Sequence, residues 1–389
     1  MAHIFKHPSK NAKGILVFTH KEWRHFTIFD KIGTRSGLRY LFKSGLWLKP
    51  LELFSTLKIN RELNEIAKHY VLGIHLGWIV PTFDVDSRIS FIMASPDNLT
   101  KWQPLPGQRQ IPLASRNFIP EFFAPAGNSQ SQKFWDIINV SRNSKFKRID
   151  AFFNSIRKIY DQGHKFRVLL VIAAGDESSK TAYLDIEKDF YRIFNSEERN
   201  LFTLMRLGPK LSFPGLPQET LAFFYRSSKV FALFSEKEGG PKVLSEAMAS
   251  GLSVVIHKNL VGPEYNSLLP EQNTFRFADY NQAADRLIEA VKSPELSNES
   301  LEKLRNEVWA PRTIEKLKTH FQSVFAQMQM EFDGQLENLD RLHLRLPAHT
   351  HDGVAWGRVG TNETADVLTQ EQFKQLRNCL RLEGGKSPE

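Results

Sequence analysis

The chain has 389 residues, of which 41% are hydrophobic and 24% are charged, and this balance excludes both a disordered chain and a bundle of membrane-spanning helices. Its one cysteine, Cys379, excludes an intramolecular disulfide and a cysteine-clustered metal site, which favours a reducing compartment. The formal net charge is +9, so an anionic partner is expected.

The length suits two domains of ordinary size. Residues 1–13 lack an apolar core of signal-peptide length, and no run of about 18 apolar residues is present to span a bilayer. We therefore expect a cytoplasmic protein that is either soluble or bound peripherally to a membrane.

The N-terminal third is predicted to form a small α/β domain. Apolar runs indicate strands at 15–18, 69–74, 89–94 and 110–114. Residues 61–68 indicate a helix. The segment 111–125, IPLASRNFIPEFFAP, is predicted to end this domain near Pro125 and to lead into the next one.

Residues 30–58 mix six lysines and arginines with leucines and aromatic residues. This pattern is typical of a segment that lies on an anionic membrane surface, and equally of a helix pair whose apolar residues face a core. Interleaved aromatics also suit a phosphate backbone, but the chain shows no helix-turn-helix, zinc-knuckle or RNA-binding motif, so no nucleic-acid partner is expected. We keep the first two interpretations open.

Residues 230–257, VFALFSEKEGGPKVLSEAMASGLSVVIH, are the most informative stretch of the chain. Apolar runs at 230–234 and 253–256 predict two buried strands. Between them Pro241 fits the first position of a helix, and Gly251 fits the left-handed residue just past its end. Strands joined by so short a helical crossover are parallel neighbours, so the turn at 235–241 is predicted to lie at the carboxyl end of a parallel sheet, where open α/β sheets bind ligands.

The start of this helix is predicted to bind a phosphate or diphosphate. Gly239 and Gly240 let the backbone approach a ligand closely. The N–H groups of Lys242, Val243 and Leu244 would point out of the helix start toward an anion.

Two glutamates separated by seven residues flank the same turn. Glu246, one turn inside the helix, is placed to accept hydrogen bonds from the vicinal hydroxyls of a ribose. Glu238, in the loop before the helix, can accept them from a sugar on the other side. The competing interpretation is that both are solvated surface carboxylates, as most glutamates are.

The segment 238–255, EGGPKVLSEAMASGLSVV, resembles the E-x7-E region of the retaining GT-B glycosyltransferases of family 4 (group 1), whose typical text is EGFGLPVLEAMA-G-PVV. Residues 137–147, IINVSRNSKFK, are similar to the strand and loop that open the family's C-terminal domain. Further similar pieces occur in the family's order at 168–175 (VLLVIAAG), 213–229 (FPGLPQETLAFFYRSSK) and 260–265 (LVGPEY). The resemblance covers roughly residues 134–309.

The resemblance implies the GT-B fold, an α/β architecture in which two Rossmann-like domains with parallel sheets face each other across a cleft. It implies a small acceptor-side domain over 1–125 and a nucleotide-sugar-binding domain over 126–330 that includes the family's closing helix. Residues 331–389 form a polar extension. The text after the first strand, FTHKEWRHF, has no glycine, unlike the family's phosphate-approaching loop, so the contribution of the N-terminal domain to the donor site is in doubt.

The resemblance also assigns roles to residues of the second domain. Arg142 and Lys147, five residues apart, would hold the donor diphosphate. Glu238 would orient the donor sugar, and Glu246 would bind the ribose. Gly215 lies in the segment that resembles the base-binding loop.

The family often places a histidine near the anomeric carbon, on a loop at a strand end. His75 is the better candidate because it follows an apolar strand and is flanked by Gly73 and Gly77. His20, directly after the first predicted strand, is the second. For either residue a structural hydrogen-bonding role is the competing interpretation.

No metal site is predicted. Asp84 and Asp86 form a D-x-D triplet of the kind that bridges a divalent cation and a diphosphate in the other glycosyltransferase fold. The triplet is too short to be specific, and the parallel-sheet pattern points away from that fold. The histidines at 349–351 are interpreted as part of a solvated loop.

The activity implied is the transfer of a sugar from a UDP-sugar or GDP-sugar to a hydroxyl of a saccharide or lipid-linked acceptor, with retention of anomeric configuration and without a metal or other cofactor. By family analogy the acceptor belongs to the cell envelope. Two alternatives stay open: a nucleotide-sugar epimerase or hydrolase of the same fold, and a non-catalytic protein that binds nucleotide sugars.

Overall fold

The computed structural model describes residues 2–19, 64, 66–77, 85–95, 99, 103–113, 115–124, 133–173, 185–207, 216–236, 238, 241–260, 271–337, 339 and 367–368. The chain divides into two compact units. The N-terminal unit contains Met1–Ser115 and Ile314–Glu389, and the central unit contains Arg116–Thr313.

The strands are β1 (Ala2–Lys6), β2 (Gly14–Thr19), β3 (Tyr70–Gly77), β4 (Ile89–Ala94), β5 (Arg109–Pro112), β6 (Trp135–Arg142), β7 (Val168–Ala173), β8 (Phe202–Leu207), β9 (Ser228–Leu233), β10 (Ser253–His257), β11 (Thr274–Phe277) and β12 (Val367–Leu368). The helices are α1 (Ile149–Asp161), α2 (Ile186–Ile193), α3 (Ser196–Arg199), α4 (Gln218–Arg226), α5 (Lys242–Ala249), α6 (Ala283–Lys292), α7 (Asn298–Val308) and α8 (Ala310–Gln327).

The sheet of the N-terminal unit has the strand order β12-β1-β2-β3-β4-β5. Strands β2 to β5 are parallel, and they coincide with the four strands predicted in this part of the chain. Strand β1 was not predicted: it pairs antiparallel with β2 and is interrupted by an irregularity between Ile4 and Lys6. Its five residues hold too short an apolar run to stand out in the sequence.

A cluster of aromatic rings joins this sheet to the C-terminal part of α8. The Phe321 ring centre lies 5.5 Å from that of Phe5 and 5.3 Å from that of Phe91. The division between the units therefore falls inside α8, between Thr313 and Ile314. The sequence predicted domain boundaries at residues 125 and 330. In the structure the central compact unit begins at Arg116 and ends at Thr313.

The sheet of the central unit is parallel throughout, with the strand order β11-β10-β9-β6-β7-β8. Alternate residues of each strand face opposite layers. One layer packs α1, α2 and α6 onto the sheet, and the other packs α4, α5 and α7. The prediction of an α/β fold class with parallel, Rossmann-like sheets is confirmed.

The strand–helix–strand prediction for 230–257 is also confirmed. Strands β9 and β10 are parallel neighbours with Ser253 paired to Val230, and α5 connects them. The helix ends in a Schellman motif: Gly251 N–H donates to the Met248 carbonyl at 2.9 Å, and Leu252 N–H donates to the Ala247 carbonyl at 3.1 Å. Gly251 has φ +83°, the left-handed conformation predicted for it.

We expect Gly251→Ala to lower the free energy of unfolding by about 1 kcal/mol, because a side chain is disfavoured at this φ. An added Cβ would meet only the Leu301 side chain, at 3.6 Å, so the cost comes from the backbone. Gly251→Asn is the control and is expected to cost less, since asparagine tolerates the left-handed region. Denaturant unfolding followed by tryptophan fluorescence measures both, and equal losses would contradict this origin.

Among the described residues, no helix is both long enough and apolar enough to cross a membrane. The basic segment 30–58 lies outside the described residues, so its membrane-surface interpretation stays a prediction.

Candidate functional site

The candidate site lies where the strand order of the central sheet reverses. From β6 the chain proceeds outward through β7 and β8 on one side, and then through β9, β10 and β11 on the other. Because β6 and β9 are parallel neighbours, the loops that follow them leave the same edge of the sheet side by side. Such a switch point at the carboxyl ends of parallel strands is where open α/β sheets bind ligands.

Arg142 and Lys147 lie at the end of β6 and in the loop that follows it. Arg142 is the last residue of β6, and Asn143 N–H donates to the Ala173 carbonyl at 2.9 Å, which fixes the loop to the end of β7. A 3₁₀ turn over Lys145–Lys147 follows, and Lys147 at its end is buried.

Lys147 forms an ion pair with Glu238, which lies in the loop after β9. The two side chains are only 10% and 9% exposed. Ser235 Oγ donates a second hydrogen bond to the same carboxylate oxygen, at 2.5 Å. The structure thus brings together two residues that are 91 positions apart in the chain.

The pKa of the Lys147 ammonium is lowered from its ordinary value. Burial is the largest cause, the nearby charge of Arg142 acts in the same direction, and the Glu238 carboxylate opposes both. Two cations therefore lie near each other, and one carboxylate pairs with Lys147. Such an arrangement gains from a second anion, because a phosphate would relieve the repulsion between the cations.

The start of α5 forms the second part of the site, with one correction. Pro241 was predicted to be the first helical residue, but its ψ of 116° is extended, so it precedes the helix as the N-cap. Leu244 N–H donates to the Pro241 carbonyl at 3.1 Å. Of the three N–H groups predicted to face an anion, those of Lys242 and Val243 therefore have no partner within the described part of the chain.

Glu246 and Lys242 form a second buried pair, one turn apart on α5. Glu246 is 3% exposed, and its Oε1 lies 3.4 Å from Lys242 Nζ. Burial raises the pKa of Glu246 and lowers the pKa of Lys242, in each case against the partner's charge. Both Glu238 and Glu246 are buried and paired with a lysine, so the interpretation of these glutamates as solvated surface carboxylates is wrong.

Three residues near these loops were missed by the sequence analysis. Arg148 directly follows Lys147, Glu236 lies two residues before Glu238, and Tyr280 follows β11. Arg148 Nη1 lies 3.2 Å from Glu236 Oε1, and the Tyr280 hydroxyl lies 2.9 Å from the Phe234 carbonyl oxygen. No motif marks them, although their positions just after strand ends were a usable signal.

His75 lies in the N-terminal unit, inside β3 and not in the loop after it. The strand continues to Gly77, and His75 is paired in register with Thr19 and Met93. Its imidazole is buried. Its predicted place near the anomeric carbon stays a prediction. Outside the described residues lie Gly215, Gly239, Gly240 and His20.

Asp86 has a structural role. Arg88 holds its carboxylate with the guanidinium and also with the backbone N–H, at 2.9 Å from Oδ1. Asp84 is outside the described residues. Within the described ranges no group of three or more histidine, cysteine, aspartate or glutamate side chains could hold a metal ion, and metal independence of the reaction stays a prediction.

Residues 123–307 match the family described as "Glycosyl transferases group 1". The match contains both loops of the candidate site and α5. The matched range lies within the central unit and is close to the range of 134–309 over which the sequence resembled that family. No curated protein sequence matches the chain.

Solved structures to which the chain is similar include glycosyltransferases. The pneumococcal O-GlcNAc transferase GtfA, solved with UDP and GlcNAc, is 13% identical, with 68% of this chain and 54% of that one covered and a TM-score of 0.45. Sucrose-phosphate synthase from Thermosynechococcus elongatus is 16% identical, with 66% and 69% covered and a TM-score of 0.47. Anabaena HepE, solved with UDP and glucose, is 10% identical, with 68% and 75% covered and a TM-score of 0.49. The chain spans about half the length of the first of these proteins.

Proposed function

We propose that this protein is a retaining glycosyltransferase of the E-x7-E type, which transfers a sugar from a UDP-sugar or GDP-sugar to a hydroxyl acceptor. The observation that carries the proposal is the buried Lys147–Glu238 pair beside Arg142 at the switch point of the central sheet. A donor supplies a diphosphate for the cations and sugar hydroxyls for the carboxylate.

The chemistry follows from where charge develops. Cleavage of the bond between the sugar and the diphosphate places negative charge on the leaving phosphate oxygen. Arg142 and Lys147 would stabilise that charge, together with the N–H groups of Lys242 and Val243 at the start of α5. These groups are held in position before the reaction, so little reorganisation opposes the charge as it forms.

Binding of the diphosphate would release Glu238 from Lys147. In the structure the carboxylate accepts hydrogen bonds from Lys147 and Ser235. Once phosphate oxygens approach Lys147, Glu238 is free to accept hydrogen bonds from the donor sugar and to fix its orientation. The acceptor hydroxyl would attack the anomeric carbon from the face of the leaving group, so the anomeric configuration is retained. It would pass its proton to an oxygen of the leaving phosphate.

The acceptor is proposed to be a saccharide or a lipid-linked intermediate of cell-envelope glycan synthesis. The mixed basic and apolar composition of residues 30–58 supports this, because such a segment would hold the enzyme near an anionic membrane that carries lipid-linked acceptors. A cytoplasmic location on that membrane and a metal-independent reaction belong to the same proposal.

The purified full-length protein, incubated with UDP-hexoses or GDP-hexoses and a panel of saccharide and lipid-linked acceptors, is expected to form a glycoside in a reaction that EDTA does not stop. NMR of the product is expected to show the anomeric configuration of the donor. Free sugar without a glycoside would indicate a hydrolase, and an altered nucleotide sugar would indicate an epimerase. Nucleotide-sugar binding without any product would indicate a binding protein, and each of these results would contradict the proposal.

A further inference from the structure

Arg148, Glu236 and Tyr280 form a cluster that joins the two loops of the candidate site. Arg148 Nη1 lies 3.2 Å from Glu236 Oε1, and the Arg148 guanidinium stacks 4.3 Å from the centre of the Tyr280 ring. The Tyr280 hydroxyl lies 2.9 Å from the Phe234 carbonyl oxygen and 3.1 Å from Glu236 Oε1, so its one proton donates to either acceptor. We call these three residues the bridging cluster.

The contacts within the bridging cluster connect positions next to residues that the proposed function uses. Arg148 follows Lys147 directly, and Glu236 lies two residues before Glu238. The Phe234 carbonyl is the first one after β9, where the loop to Glu238 begins. Because loop residues lack the ladder of hydrogen bonds that fixes strands, such cross-links decide how closely the loops are held.

Arg148 adopts a backbone conformation that its residue type disfavours. Its φ is +50° and its ψ is +46°, and among the described residues Gln329 is the other residue besides glycine with a positive φ. Glycine would occupy this left-handed position without strain. The arginine side chain at this position reaches Glu236, Tyr280 and also Asp150, whose Oδ1 lies 3.4 Å from Arg148 Nε.

Tyr280 provides a fixed support for both loops. It follows β11, and its ring centre lies 5.5 Å from that of Phe277 and 5.7 Å from that of His257. Burial is the largest cause of a raised pKa for its phenol, so at neutral pH the hydroxyl keeps its proton and acts as a hydrogen-bond donor.

We infer that the bridging cluster is a positioning device that sets the distance between Lys147 and Glu238, and thereby aligns the leaving diphosphate with the donor sugar. The inference rests on the proposed function. A misplacement of about 1 Å costs up to roughly 100-fold in rate while changing affinity much less, because alignment is needed mainly in the transition state.

Five variants and one control test the inference in the full-length protein. Arg148→Gly and Arg148→Ala both remove the side-chain contacts, but glycine keeps the left-handed backbone without strain, so Arg148→Gly is expected to melt at a higher temperature than Arg148→Ala. Both are expected to lower kcat by about 10-fold or more with less than about a 3-fold change in donor KM. Tyr280→Phe keeps the ring but lacks the hydroxyl, and it is expected to show the same fall in kcat with little change in donor KM.

Glu236→Gln is the conservative variant. Its side-chain amide oxygen can still accept hydrogen bonds from Tyr280 and Arg148, so the variant is expected to retain most of the wild-type kcat. Glu236→Ala has no acceptor, and its kcat is expected to fall as in Arg148→Gly. Arg286→Ala is the matched control. Arg286 pairs with Glu289 at 2.5 Å on the exposed surface of α6, and its loss is expected to leave both kcat and KM unchanged.

Binding of UDP and of GDP, measured by calorimetry, separates this inference from the proposed function. Wild type and Arg148→Gly are expected to bind one of the two nucleotides with dissociation constants within about 3-fold of each other. Binding of neither nucleotide by the wild type would overturn the proposed function and this inference with it. If the wild type binds nucleotide and turns over, and kcat is unchanged in Arg148→Gly and Tyr280→Phe, this inference alone is overturned. A loss of activity in these variants that a fall in melting temperature explains would also overturn it.

Discussion

Replacement of Lys147 by alanine is expected to lower kcat by about 100- to 1,000-fold, the usual effect of removing one group that stabilises developing negative charge. Lys147 is buried at the switch point, near Arg142, and the proposed function has its ammonium stabilise the leaving diphosphate. Steady-state kinetics with varied donor measure the effect. Lys145→Ala is the matched control, because Lys145 lies in the same 3₁₀ turn but is exposed. Equal activity of the Lys147 and Lys145 variants would contradict the assignment.

Glu238→Gln is expected to separate binding from catalysis at the same place. Loss of the carboxylate leaves the Lys147 charge buried without its partner, so the affinity for a nucleoside diphosphate is expected to rise at neutral pH while sugar transfer falls. The pH dependence follows from the causes of the Lys147 pKa shift. Burial lowers that pKa and Glu238 opposes the shift, so in Glu238→Gln the ammonium loses its proton, and the affinity falls, at a lower pH than in the wild type. An unchanged affinity and pH profile would contradict the role of the pair.

Glu246→Leu is expected to lower the free energy of unfolding by about 3–5 kcal/mol, because it leaves the buried Lys242 ammonium without its partner. The double variant Lys242→Met/Glu246→Leu is expected to recover most of this loss, since apolar side chains of similar size need no solvation. Denaturant unfolding followed by tryptophan fluorescence measures the series, with Trp135 and Trp309 as reporters in the central unit. Equal destabilisation by the single and the double variant would contradict a buried pair.

The sign of the pH effect follows from the two pKa shifts. Burial raises the pKa of Glu246, so its contribution to stability is present at low pH and is lost as the pH rises through the folded pKa. Burial lowers the pKa of Lys242, so its contribution is present at high pH and is lost as the pH falls through the folded pKa. At a pH where both groups are charged, each carries the form that burial disfavours, and there the double variant is expected to gain most in stability relative to the wild type.

The same double variant separates folding from function. If Glu246 binds the ribose of the donor, the double variant is expected to remain folded and to lose affinity for nucleotides. Calorimetry with UDP and GDP measures this, and a wild-type affinity in a folded double variant would remove Glu246 from the site.

The part of the fold that is local in sequence was predictable. In the stretch 230–257 both strands are short apolar runs, and Pro241 and Gly251 mark the ends of the helix between them. The helix start was misplaced by one residue, because proline fixes φ but not ψ, and Pro241 has an extended ψ. Strand β1 was missed because its pairing with β2 stabilises it more than its own composition does.

The contacts that make the site were not predictable from periodicity. Lys147 and Glu238 meet only because β6 and β9 are neighbours, and this depends on a crossover that the spacing of apolar residues does not specify. Resemblance to a family named both residues without indicating that they pair. The same holds for Arg148 and Tyr280, which are 132 positions apart and were not recognised at all.

The central claim is that Arg142, Lys147 and the start of α5 bind a diphosphate, and a crystal structure of the full-length protein with UDP or GDP tests it most directly. We expect phosphate oxygens within hydrogen-bonding distance of Arg142, of Lys147 and of the N–H groups of Lys242 and Val243, with Glu246 on the ribose and Glu238 released from Lys147. A nucleotide bound elsewhere would contradict the claim, and a diphosphate at this place with the Lys147–Glu238 pair intact would contradict the release of Glu238.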